Sequence, residues 1–269
     1  MFNGGRNLGA MRMPSGIVIT GASSGLGRAL SLEYAAPGVT LGLLGRSAAR
    51  LDETAQLARA RGAVVRVGAF DVRDRAAMTQ FLLAFDSTAP IDCLIASAGV
   101  TLVAPAGGAG EDLTKSRELF DVNLNGAMNT VAPVAPLMRR RRAGQIALFG
   151  SIAAFAPPPD SACYAASKAA IIAFALAARA LYRADGVSVS VVCPGFVDTP
   201  MTDSFVSWKP FLITAEDAAR RIRRGLERRK AIIAFPRRLY LLARLQQWLP
   251  EPLRSLAMTT FRAAARPPD

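Results

Sequence analysis

One stretch of this 269-residue chain constrains its fold more than any other: Ile17-Val18-Ile19-Thr20-Gly21-Ala22-Ser23-Ser24-Gly25-Leu26-Gly27. An apolar, β-branched run passes directly into three glycines, and a helix-forming segment follows. A strand that turns tightly into a helix opens a βαβ layer. The same rhythm recurs along the chain. Short apolar runs predict strands at Ile17–Thr20, Val39–Leu44, Ala63–Ala69, Cys93–Ser97, Gln145–Phe149, Val187–Cys193 and Ala231–Phe235. Helical patterns between them predict helices at Gly25–Tyr34, Ala48–Arg61, Arg75–Asp86, Leu113–Arg140, Ala162–Arg183 and Ala215–Arg229. Strands apolar on both faces belong in a sheet covered on both sides. The expected fold is therefore α/β, a single-domain doubly wound parallel sheet of about seven strands flanked by helices. Its ligand crevice should lie beyond the carboxyl ends of the strands.

Composition narrows the chemistry. The chain has no histidine, which excludes Ser-His-Asp and Cys-His catalysis, His-ligated metals and His proton carriers. Acid/base work falls to Tyr, Lys, Asp, Glu or Cys. Cys93, Cys163 and Cys193 are odd in number and lack CxxC spacing, so no metal site is expected and a reducing, cytoplasmic compartment is. Cys163 reads as a small apolar filler. Residues 1–13 carry Gly and Arg without an apolar signal core and read as a loose tail, with translation starting near Met13. No apolar run reaches the roughly 18–20 residues of a bilayer span. The net charge is +13, and residues 201–269 hold 14 Lys/Arg against 6 Asp/Glu. That excess suits anionic partners, but no reading-helix motif points to specific nucleic-acid binding.

Backbone N–H groups can approach a phosphate closely only where side chains are missing. Gly21, Gly25 and Gly27 provide such a place, and the next helix presents its positive end there. The turn therefore suits a dinucleotide pyrophosphate. The second strand ends in Leu43-Leu44-Gly45-Arg46-Ser47 without a carboxylate. A carboxylate there would favour a free ribose and repel a 2′-phosphate, whereas Arg46 can pair with one. The cofactor expected is NADP(H). Arg28 lies close in sequence and is equally suited to the solvent face. Asp71-Val72, after the third strand, suits the adenine edge.

Tyr164 and Lys168 are four residues apart, hence on one helix face. A phenol titrates near pH 10, and a neighbouring ammonium is expected to lower that value. Ser151, at the end of the fifth strand, is placed to hydrogen-bond a substrate oxygen.

With these motifs in order, the chain resembles the short-chain dehydrogenase/reductase family in its common 250-residue form. The resemblance covers about residues 14–235. It rests on the turn Thr20–Gly27, on Ala96-Ser97-Ala98-Gly99 where the family usually has Asn-Asn-Ala-Gly, on Asn123, on Ser151, Tyr164 and Lys168, and on Pro194-Gly195-Phe196-Val197-Asp198-Thr199. It implies a Rossmann-type fold. It makes Tyr164 the general acid/base, with Lys168 lowering its pKa and binding the nicotinamide ribose. Ser151 would orient the carbonyl or alcohol, and Asn123 would hold the water of a proton relay. The resemblance also implies cofactor contacts from Gly21, Ser23, Ser24, Gly25, Leu26, Gly27, Arg46, Asp71, Val72, Ala98, Gly99, Tyr164, Lys168, Pro194, Gly195, Val197 and Thr199. Ala96 and Ser97 in place of two asparagines are expected to lose one strand-end hydrogen bond. A homodimer or homotetramer is expected.

Residues 200–213 are expected to close over the substrate, and Met201, Phe205, Val206, Trp208, Phe211 and Leu212 make that lid apolar. An apolar or lipid-like carbonyl/alcohol pair suits it best. Two other readings stay open: a sugar or nucleotide-sugar substrate in envelope polysaccharide synthesis, and a catalytically silent cofactor-sensing protein. Residues 236–269 form a basic amphipathic extension, whose segment 236–249 suits either peripheral contact with the inner face of a membrane or packing on protein.

Overall fold

The computed structural model describes residues 14–104, 111–203 and 209–259. Seven strands occur in chain order: β1 (Gly16–Thr20), β2 (Thr40–Gly45), β3 (Val64–Ala69), β4 (Cys93–Ala96), β5 (Gly144–Phe149), β6 (Val187–Pro194) and β7 (Ile232–Phe235). The helices are α1 (Gly25–Tyr34), α2 (Ala48–Ala60), α3 (Arg75–Asp86), α4 (Leu113–Phe120), α5 (Gly126–Arg141), α6 (Ala162–Tyr182), α7 (Pro200–Asp203), α8 (Ala215–Glu227), α9 (Arg237–Gln246) and α10 (Glu251–Thr259). All six strand pairings are parallel, in the order β3-β2-β1-β4-β5-β6-β7. The order reverses between β1 and β4, and that switch point opens the crevice at the carboxyl ends of both strands.

The pleat sorts the strand residues between two cores. Ile17, Ile19, Leu41, Leu43, Cys93, Ile95, Ala147 and Phe149 pack under α1, α2 and α8. Val18, Leu94, Ile146, Leu148, Val189, Val191 and Cys193 face α3, α5 and α6. With side chains alternating along each strand and helices on both faces, most positions of the inner strands are apolar. That is why these strands read as unbroken hydrophobic runs rather than alternating ones. Several helix starts carry side-chain caps: Asp74 accepts from the Ala77 N–H, Asp112 from those of Thr114 and Lys115, and Thr214 from that of Asp217.

Two expectations need correcting. The helix expected over Leu113–Arg140 is two helices joined by a π-turn, Asp121–Asn125. Side-chain periodicity does not register one extra residue in a turn, because the apolar positions on either side remain helical. A second correction concerns α6, which is long and apolar enough to cross a bilayer by length and composition. It packs on β5 and β6, and Ile171, Ala175 and Ala178 belong to the core. Of the expected lid, Phe205, Val206 and Trp208 lie outside the described residues.

Candidate active site

The glycine turn is fixed by contact with the strand beside it. Gly21 adopts φ +71°, and a Cβ there would stand 2.9 Å from the Ala98 Cα. On Gly27 a Cβ would stand 2.2 Å from the Gly21 carbonyl oxygen. Both positions therefore require glycine, and α1 can start immediately behind the turn. Ser24, its N-cap, makes no side-chain capping bond. The first-turn N–H groups remain directed at the crevice, which suits an anion. Thr20 ties this turn to β4: its Oγ1 accepts from the Ala98 N–H at 3.1 Å, and its carbonyl accepts from the Ser97 hydroxyl. The strand-end hydrogen bond expected to be lost is thus supplied by Ser97, since a hydroxyl spans the gap between adjacent strand ends.

The crevice encloses about 830 Å³. Every residue expected to touch the cofactor lines it: Gly21, Ser23, Ser24, Gly25, Leu26, Gly27, Arg46, Asp71, Val72, Ala98, Gly99, Tyr164, Lys168, Pro194, Gly195, Val197 and Thr199. Arg28 is exposed and does not line it. At the β2 end Arg46 is joined by Ser47 and Arg50. Arg50 escaped the sequence reading, although its place one turn after Arg46 was the signal. Asp71 receives the backbone N–H and the guanidinium of Arg73, and these bonds hold its carboxyl below the ordinary range, with Arg46 adding to the effect.

Ser151 sits where β5 ends, and its Oγ accepts the Ala153 N–H at 3.1 Å. That bond fixes the hydroxyl at the crevice wall, where it is hydrogen-bonded to Tyr164. Tyr164 and Lys168 project from one face of α6, with the ammonium 5.7 Å from the centre of the phenol ring. The Lys168 Nζ donates to the Phe149 carbonyl at 3.0 Å. Burial pushes the Tyr164 phenol above its ordinary value, opposed by the Ser151 hydrogen bond. Burial also pulls the Lys168 ammonium down to about 8, opposed by Cys193 nearby. The net shift of the Tyr164 phenol is therefore upward, opposite to the lowering expected from an adjacent Lys168. The ammonium spends its hydrogen bond on a backbone carbonyl, and removing a phenolate from water costs more than the remaining attraction returns.

Asn123, carried on the π-turn, does not line the crevice. Its Oδ1 accepts the Val100 N–H at 2.8 Å, and its Nδ2 donates to the Val100 carbonyl and to Ser167 Oγ. Ser167 in turn donates to the Tyr164 carbonyl at 2.8 Å. The Asn123 side chain therefore braces the loop after β4 against the first turn of α6, beneath Tyr164. Cys163 donates its backbone N–H to Glu111 and does not line the crevice.

The far end is apolar. Ile152, Ala156, Met201, Leu239, Leu242, Leu245 and Leu249 line it, so α9 is a wall of the site. The sequence showed its amphipathic pattern but not which surface it covers. Phe211 and Leu212, expected over the substrate, are about half exposed and do not line the crevice. The lid's roots are joined through a bridge between Val197 and Ile213.

These residues fit a nicotinamide dinucleotide: an uncapped helix start for its phosphates, Ala98 and Gly99 beside its middle, and Tyr164 with Lys168 at the reacting end. The comparisons agree. The short chain dehydrogenase family model matches residues 15–210. An uncharacterized oxidoreductase of Myxococcus xanthus is 34% identical over 250 residues, covering 93% of this chain and 95% of that protein. An 11-beta-hydroxysteroid dehydrogenase A of Sesamum indicum is 35% identical over 191 residues, 69% of this chain and 53% of that protein. A short-chain dehydrogenase from Sphingobium yanoikuyae in complex with NADPH superposes with a TM-score of 0.76 at 25% identity, covering 94% of this chain and 98% of that one. Neighbours holding NAD also share the fold. The switch-point crevice, the Ser151, Tyr164 and Lys168 wall and these matches together place the chain in the short-chain dehydrogenase family, as a nicotinamide-dependent oxidoreductase.

Proposed function

We propose that this protein transfers hydride between NADP(H) and a carbonyl/secondary alcohol on an apolar, lipid-like molecule, with Tyr164 as general acid/base. The observation that carries this reading is the polarity of one continuous crevice. Arg46 and Arg50 line its β2 end, leucines of α9 line the other, and Ser151, Tyr164 and Lys168 stand between. Two guanidiniums suit a 2′-phosphate, and no carboxylate at the β2 terminus repels it. When bound, the nicotinamide supplies or takes the hydride. The protein's own part is to hold oxygen and protons. Ser151, oriented by the Ala153 N–H, hydrogen-bonds the substrate oxygen. Tyr164, kept protonated by burial, donates its proton to that oxygen as charge develops, and accepts it in the alcohol direction. The buried Lys168 ammonium holds the ribose side and stabilises the phenolate left behind.

The steroid for which the sesame relative is named is the kind of rigid apolar skeleton the α9 end would accommodate. Initial rates with NADPH and NADH against cyclic apolar ketones and short polar aldehydes test the proposal. It expects NADPH with the apolar ketones to give the highest kcat/KM. A preference for NADH, or for polar aldehydes, would refute the corresponding half.

A further inference from the structure

We propose that α9 docks the protein on an anionic lipid surface and that the substrate enters the crevice from that surface. Entry rests on the apolar-substrate reading above; docking does not.

Leu241, Leu242 and Leu245 share one face of α9, and Trp248 and Leu249 continue it in the turn that follows. That face points outward: Leu242 is 62% exposed, Leu245 64% and Trp248 84%. The opposite face is held by the protein, with Ala243 buried in the core and Tyr240 packed edge-on against Phe155 at 5.3 Å. A helix anchored on one side that shows leucines and a tryptophan on the other matches an element lying in the membrane interface, where the indole settles at headgroup level. At ten residues it is about 15 Å long, too short to span a bilayer.

Charge selects the occupant. Arg237 and Arg238 are exposed at the start of α9. No carboxylate occurs between Arg228 and Pro250. A second copy on this face would offer the arginines the same stretch, without a carboxylate between Arg228 and Pro250, whereas anionic headgroups neutralise them. The position of the stripe adds the function. Leu242, Leu245 and Leu249 are exposed and also line the crevice, so the mouth opens within the lipid-facing surface. An apolar molecule dissolved in acyl chains then reaches Tyr164 without crossing water.

The test is co-sedimentation of the full chain, without substrate, on phosphatidylcholine vesicles and on the same lipid with about one-third phosphatidylglycerol. Binding to the anionic vesicles, weakened by salt, is expected. Arg237→Ala/Arg238→Ala should lower the partition coefficient roughly 30-fold. Leu241→Ser/Trp248→Ser should abolish binding. Neither pair lines the crevice, so retained turnover of a soluble ketone shows that both variants are folded. Failure to sediment with anionic vesicles at low salt overturns docking. So does a serine pair that leaves sedimentation intact while turning an oligomer into a monomer, which would make this face a contact between copies. Vesicle binding with turnover confined to hydrophilic carbonyls overturns the entry step and the apolar-substrate reading together. Turnover of apolar carbonyls without vesicle binding overturns docking alone.

Discussion

Lys168→Met tests the electrostatics of the site through folding stability. Lys168 is 5% exposed, and burial lowers its pKa from 10.5 to about 8. Below pH 8 the amine is charged in both folded and unfolded chains, so its contribution to the slope is flat. Between pH 8 and 10.5 the unfolded chain holds the proton that the folded one has released, and stability rises with pH. From pH 7 to pH 10 the native protein should gain about 2.5 kcal/mol relative to Lys168→Met, which has nothing to titrate there. Nearby groups do not blur the difference: burial drives the Cys193 thiol up to about 12 and raises the Tyr164 phenol. Guanidinium unfolding of both proteins at pH 7 and pH 10 measures it, since groups common to both cancel. For a chain of this size the gain corresponds to roughly 5–10 °C in Tm. Two parallel stability-versus-pH curves would refute the burial argument and leave the ammonium solvated.

Tyr164→Phe should cut kcat by roughly 10²–10⁴ while the Kd for NADPH, read by nucleotide fluorescence, stays within a few-fold; substantial turnover in that variant would remove Tyr164 from the proton path. Arg46→Ala/Arg50→Ala should raise the KM for NADPH by about 10–100-fold and leave that for NADH unchanged, because each guanidinium loses a charge-assisted bond to the 2′-phosphate only. Ser97→Ala should cost about 1 kcal/mol, a Tm drop of about 2–4 °C, with kcat altered less than about twofold. An unaffected Tm would mean that the bond from Ser97 to the Thr20 carbonyl does not stiffen the junction of β1 and β4.

How legible each part was depended on whether its cause is local. The Tyr164 and Lys168 pairing follows from helical spacing, and the glycine turn announces itself by lacking side chains. Asn123 was singled out, but its brace to Val100 and Ser167 depends on a π-turn that apolar periodicity cannot register. Ser97 looked like a loss against the family's usual asparagine, because only the separation of β1 and β4 shows that a serine hydroxyl reaches the Thr20 carbonyl. Lys168 was expected to acidify its neighbour. The direction changed once burial was known, since the cost of desolvation depends on every group around a side chain and not on its helical partner alone.

The sequence by itself determined the layered α/β class, the positions of the strands and the pairing of Tyr164 with Lys168 on one helix face, because periodicity, glycine placement and helical spacing act locally. Tertiary structure decided the rest. It set Asn123 against Val100 and Ser167, turned α9 from a tail into a wall of the crevice, and left Phe211 and Leu212 outside it. Those outcomes depend on which surfaces meet when residues far apart in the chain pack, and one-dimensional spacing does not encode that.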